Sequence, residues 1–172
     1  MGSQLGLEHG KVRLADADPD WPKLFTAEIE RIRPAIDAYV VAIEHFGSTS
    51  IPRIKAKPIL DILVGLRRFK DGEKLVRPLV SLGYDYVGFN MVHDDHLFGL
   101  GQARTVLLHA VVHGGHHWNR NLRFRDALRA GPALAAEYEA LKVRLAEEFA
   151  DSRSGYTAAK QAFIDRIADA RG

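Results

Sequence analysis

The sequence predicts an α/β (α+β) domain in which a small mixed β-sheet is flanked by helices and followed by a helical C-terminal segment. Short runs rich in β-branched and aromatic residues, bounded by Gly, fill the middle of the chain. Stripes of apolar residues at helical spacing fill its two ends. The order helix, strands, helix, strands, three helices argues for a mixed sheet rather than a doubly wound one. Neither G-x-G-x-x-G nor G-x-x-x-x-G-K-[ST] occurs, so the common dinucleotide and P-loop fingerprints are missing.

In chain order, Asp18-Pro19 before "DWPKLFTAEIERIRPAI" reads as a helix start, since Asp can accept the first free amides and Pro is tolerated in the first turn. Trp21, Phe25, Ile29, Ile32 and Ile36 share one face, and Pro34 should kink or end the helix. "YVVAIEHF" (39–46) and "KPILDILVGL" (57–66) read as strands, the second apolar enough to be covered on both faces. The turn-rich "GSTSIPRIKA" joins them. "DGEKLVRPLVSLG" (71–83) reads as a short helix stopped by Gly83. "YDYVGF", "HLFGLG" and "RTVLLHAVVH" supply further strands. "NRNLRFRDALRA" ends at Gly131-Pro132, and "ALAAEYEALKVRLAEEFA" carries Leu134, Tyr138, Leu141, Leu145 and Phe149 on one stripe. A final helix turns Tyr156, Phe163, Ile164 and Ile167 inward.

With 172 residues, 47% hydrophobic and 27% charged, the chain fits a single globular domain. We expect a flexible arm over 1–10 and one domain over 11–172. A net charge of +2 gives no reason to expect nucleic acid or an anionic membrane as partner. The absence of Cys excludes disulfides, thiolate metal sites and a Cys nucleophile, and fits a cytoplasmic setting. No window approaches the roughly 18 apolar residues of a membrane span. Oligomeric state is not legible.

Chemistry concentrates in "HFGSTSIPRIKAKPILDILVGL". Gly47 ends a strand where the backbone can turn tightly and approach a ligand. Ser48, Thr49 and Ser50 offer hydroxyls and amides in a row, a cradle for phosphate oxygens. Lys55 and Lys57 can add positive charge. Asp61 sits alone in an apolar run, where a carboxylate is costly unless paired or bound to a metal. An Asp in a strand can also cap a neighbouring amide, and Ser and Thr are ordinary loop residues.

Gly-Ser, a linker of twelve residues, then Asp on a strand resembles the nucleotidyltransferase superfamily signature. The string "VVAIEHFGSTSIPRIKAKPILDILVGL", with "DPDW", "GYDYVG", "RTVLLHAVVHG" and "NLRFRDALRAGPALAAEYEALKVRLA" in order, resembles the GrpB family over roughly residues 11 to 170. The resemblance implies a nucleotidyltransferase-like fold, an NTP such as ATP held at Gly47, Ser48, Thr49 and Ser50 with Lys55 and Arg123 nearby, and Mg²⁺ on Asp61. It further implies Asp61, Lys57 and His109 as catalytic residues and a small-molecule acceptor attacking the α-phosphate. The superfamily's second acid, two residues after the first, is Leu63 here, which leaves Asp61 without its usual partner for a two-ion site. A single Mg²⁺ on one carboxylate plus phosphate stays open, as do a nucleotide-binding pseudoenzyme and a ligase that adenylates a carboxylate. Glu44, Asp94 and Asp95 are candidates to supply the second acid. The segment 89–101 also departs from the family pattern, with Phe89, Asp95, His96 and Leu100 in place of the acidic and then basic residues implied there.

His93 and five further His between 96 and 117 invite a metal reading. On a strand, however, His109 and His113 stand about 13 Å apart, too far to share an ion. His109 matches the "LH" of the family motif and is the preferred site residue, with a hydrogen-bonded core role as the alternative. Arg120 and Arg123 can reach phosphates, Arg125-Asp126 reads as an internal pair, and Arg129 as a solvated helix face.

Overall fold

A computed structural model describes residues 4–90 and 95–170. Helix α1 (Trp21–Ile36) opens with Pro22 in its first turn, where no amide donor is needed, and buries Trp21, Ile29, Ile32 and Ile36. Asp18 Oδ1 accepts from the Asp20 amide at 2.8 Å just ahead of it. Pro34 lies in the last turn, and the helix stops two residues later. Strands β1 (Val40–Phe46) and β2 (Leu60–Leu66) fall where the β-branched runs place them. The helix expected over 71–83 divides: a 3₁₀ stretch over Phe69–Leu75 precedes α2 (Val76–Ser81), with Pro78 in the first turn of α2.

Three strands follow, β3 (Tyr84–Asn90), β4 (Asp95–Leu100) and β5 (Val106–Val112). The sheet order is β1-β2-β5-β4-β3, with β2 and β5 parallel and the other pairs antiparallel. Helices α3 (His116–Ala130), α4 (Pro132–Glu148) and α5 (Arg153–Ala168) complete the chain.

The two sheet faces have different fates. Ile62, Val64, Leu108, Ala110 and Phe98 pack with α1 and α2 into the main core. The alternate residues Leu63 and Val111 meet Trp118 of α3. Helix α3 comes so close that a Cβ on Gly65 would lie 2.9 Å from the Trp118 ring, which explains a residue without a side chain in a central strand. Asp61 is the one partly open position of the otherwise buried β2, on the α3 face near its N-terminal end. Among the described residues, no helix is long and apolar enough to cross a membrane.

Part of the arm expected over residues 1–10 is docked on the domain. Leu7 is 4% exposed and exchanges backbone hydrogen bonds with Arg104, while the Gly6 amide donates to Pro58 O. Leu5 packs against the main core. Two apolar side chains in a short polar stretch suffice to dock it.

Candidate functional site

The Gly47 backbone turns at φ +68°, a conformation that suits glycine. A Cβ there would lie 2.2 Å from Asp61 Oδ2, so β1 delivers its terminal turn directly onto the carboxylate. Register makes this possible, because Phe46 stands opposite Asp61. The turn is fastened from below. Thr49 Oγ1 is hydrogen-bonded to His45 Nε2 at 2.9 Å, and the His45 ring stacks on Phe25. Burial, with the Arg129 and Arg125 charges adding to it, pushes His45 down to about 4, so it is neutral at physiological pH. Arg125 donates to Glu44 Oε2 at 2.6 Å, to His45 O at 3.0 Å and to Asp126 at 2.8 Å, tying α3 to β1.

The turn and Asp61 border a cavity of about 280 Å³. Of the residues expected from the sequence, Gly47, Ser48, Thr49, Lys57, Asp61 and His109 line it. Ser48 lies against the Tyr138 hydroxyl. His109 Nδ1 is hydrogen-bonded to Asp95 Oδ2 at 2.8 Å, and its ring meets Phe46 edge-on. Asp95 Oδ1 is buried with no hydrogen-bond partner among the described residues.

Electrostatics here are dominated by desolvation. Burial raises the Asp61 carboxyl above the ordinary carboxylate range, against the opposing pull of His109, Lys57, Lys160 and Arg153. Burial first, and the neighbouring Lys160 charge after it, lower Lys57 to about 8. Lys160 is likewise lowered to about 8 by burial. For His109 burial works downward, but the bond to Asp95 and the charges of Asp95 and Asp61 outweigh it and raise the imidazole.

Three expected ligand-binding residues are not at the cavity. Lys55 is paired with Asp16 on the surface. The Ser50 hydroxyl donates to Gly47 O at 2.6 Å and is consumed in closing the turn. Arg123 is exposed on α3, its charge acting on Asp169. Arg120 is held by Asp165 and Asp169, and Arg129, read as a solvated face, donates to Ser50 O at 3.0 Å. The second acid is also not supplied by the two described candidates: Glu44 pairs with Arg125 and Asp95 with His109. Asp94 and His93 lie outside the described residues. Other His lie apart from His109: His96 is buried between Tyr86 and Phe69 beside the main core, on the opposite sheet face, and His113 packs on Trp118 beyond the end of β5. Among the described residues, no group of three or more His, Asp or Glu could hold a metal ion.

The C-terminal helices contribute what sequence reading missed. Asn121, Phe124, Tyr138, Tyr156, Thr157, Lys160 and Ile164 close the cavity. Tyr156, Lys160 and Ile164 recur every four residues on one face of α5. A Lys midway along an inward stripe was the available signal.

A family model described as "GrpB protein" matches residues 11–170. The chain belongs to the GrpB family. It is 37% identical to the glutamate-rich protein GrpB of Alkalihalophilus pseudofirmus over 169 residues, covering 95% of this chain and 97% of the relative. The crystal structure of the conserved protein GrpB from Enterococcus faecalis superposes with a TM-score of 0.83 at 31% identity, over 91% of this chain and 95% of that one. Cid1, in a structure with its short product ApU, aligns with a TM-score of 0.53 at 11% identity, over 74% of this chain and 40% of Cid1. The sheet and its flanking helices therefore share their fold with the Enterococcus faecalis GrpB and, more distantly, with Cid1.

Proposed function

We propose that this GrpB protein binds a nucleoside triphosphate, ATP being the first to test, and transfers its nucleotidyl group to a small-molecule acceptor. The observation that carries the reading is the cavity itself: a Gly47-Ser48 turn pressed against Asp61, faced by two ammonium groups, Lys57 and Lys160. Such a set suits a phosphate chain, whose oxygens take charge-assisted hydrogen bonds from lysines and further bonds from Ser48. Cid1, which shares the fold, is also seen in complex with the UTP analog UMPNPP. The reaction would join an acceptor oxygen or nitrogen to the α-phosphorus and break its bond to the bridging oxygen, releasing pyrophosphate. His109, oriented by its hydrogen bond to Asp95, would take the acceptor's proton. Protein groups contribute positioning and charge rather than covalent chemistry.

The donor set does not fit a resident pair of magnesium ions. Among the described residues, Asp61 is the one carboxylate lining the cavity, and it faces Lys57, Lys160 and His109.

A second reading, nucleotide binding without transfer, is favoured by Leu63. It is fully buried against Val111 and Trp118, so apolar packing occupies the position of the second acid. Calorimetry with ATP, GTP, CTP and UTP, each with Mg²⁺, followed by a pyrophosphate-release assay with pooled acceptors, separates the readings. Transfer predicts binding and acceptor-dependent release. Binding with no release under any acceptor favours the second reading, and no binding of any NTP contradicts both.

A further inference from the structure

Resting on the reading that the cavity takes a phosphate chain, we infer that the chain's charge is met by the Lys57 and Lys160 ammoniums in place of a divalent metal ion, Asp61 acting as their countercharge rather than as a metal ligand.

Three features support this. The ammoniums arrive from separate elements, Lys57 from the loop before β2 and Lys160 from α5, yet both stand over the Tyr156 ring, with Nζ 5.5 Å and 4.4 Å from its centroid. That shared aromatic platform holds two like charges together at one cavity wall. Among the described residues that line the cavity, Asp61 is the one carboxylate to balance them, with the Arg153 charge acting on it as well. Finally, each carboxylate that could have completed a metal site is engaged elsewhere among the described residues, Glu44 by Arg125 and Asp95 by His109. Adding a dication to this cation-rich wall is unfavourable, whereas adding a polyanion is favourable.

Inorganic triphosphate and ATP serve as probes in calorimetry, each in EDTA and with Mg²⁺. Both are expected to bind in EDTA, with Mg²⁺ changing affinity less than about threefold. Lys160→Gln and Lys57→Gln should each weaken binding about tenfold or more, the loss of one charge-assisted contact, while Lys160→Arg retains most of it. Asp61→Asn, isosteric and uncharged, should tighten binding in EDTA by removing a like charge. Thermal melts of every variant report whether it is folded. Binding that requires Mg²⁺ and disappears in Asp61→Asn overturns the inference while leaving the nucleotide reading intact. Failure of both probes to bind under either condition overturns the two together.

Discussion

Gly47→Ala is expected to reduce ATP binding at least tenfold and to destabilise the fold by about 1–3 kcal/mol. The substitution does two things at once. It places a side chain on a backbone at φ +68°, and it drives a Cβ to within 2.2 Å of Asp61 Oδ2 and 2.8 Å of its Cγ. Rotating the carboxyl group does not relieve the clash, because Asp61 Cβ itself would lie 2.9 Å from the added atom. Either the turn shifts, carrying Ser48 with it, or Asp61 does, and in both cases the cavity wall formed by the turn and the carboxylate changes shape. Urea denaturation and ATP calorimetry on the same preparation check both effects. Wild-type affinity in a Gly47→Ala protein would mean that the turn does not touch the ligand.

Acidification should uncover His45. Its folded-state value of about 4 lies below the ordinary 6.5 because burial, reinforced by Arg129 and Arg125, disfavours the imidazolium. The unfolded chain therefore takes up a proton near pH 6.5 that the folded protein refuses until about pH 4. The stabilising contribution is present in full above the unfolded value and is lost as pH falls through that window. Between pH 7 and 4.5, wild type should lose about 2–3 kcal/mol more unfolding free energy than His45→Gln. The comparison with the variant removes the carboxylates common to both proteins. Parallel pH curves for the two would contradict the assignment. The same protonation bears on the site, since it charges the ring that is hydrogen-bonded to Thr49 Oγ1 beneath the Gly47-Ser48 turn, next to the Arg125 and Arg129 charges.

Most of the strands and helices were legible because their signals are local. Strand runs stop at Gly47 and Gly101, a short helix stops at Gly83, and inward stripes on α1 and α4 repeat at three and four residues. The site was legible only as far as backbone geometry determined it. Gly47, Ser48 and Asp61 follow from a turn at the end of one strand and a register on the next. Lys55 and Lys57 differ by two residues in an irregular loop, where no period dictates direction; one reaches Asp16 and the other the cavity. The choice between Arg123 and Phe124 depends on the rotation of α3. That rotation is set by Trp118 packing over Gly65, with His116 rather than Asn119 beginning the helix. Lys160 required knowing that α5 folds back over the sheet, which is a tertiary fact. The Asp95–His109 pair joins two strands whose adjacency depends on the sheet order. Nothing local in the sequence announces either.

The central claim is that phosphates bind between the Gly47-Ser48 turn and the Lys57–Lys160 wall. A crystal structure of the protein soaked or grown with a nonhydrolysable ATP analogue tests it most directly. The account predicts phosphate oxygens within hydrogen-bond distance of Ser48 and both lysines, with the nucleoside extending toward Tyr138 and Phe124. Phosphates seated instead in the open depression between α4 and α5, beside Arg144 and Arg166, with the Asp61 cavity untouched, would contradict it.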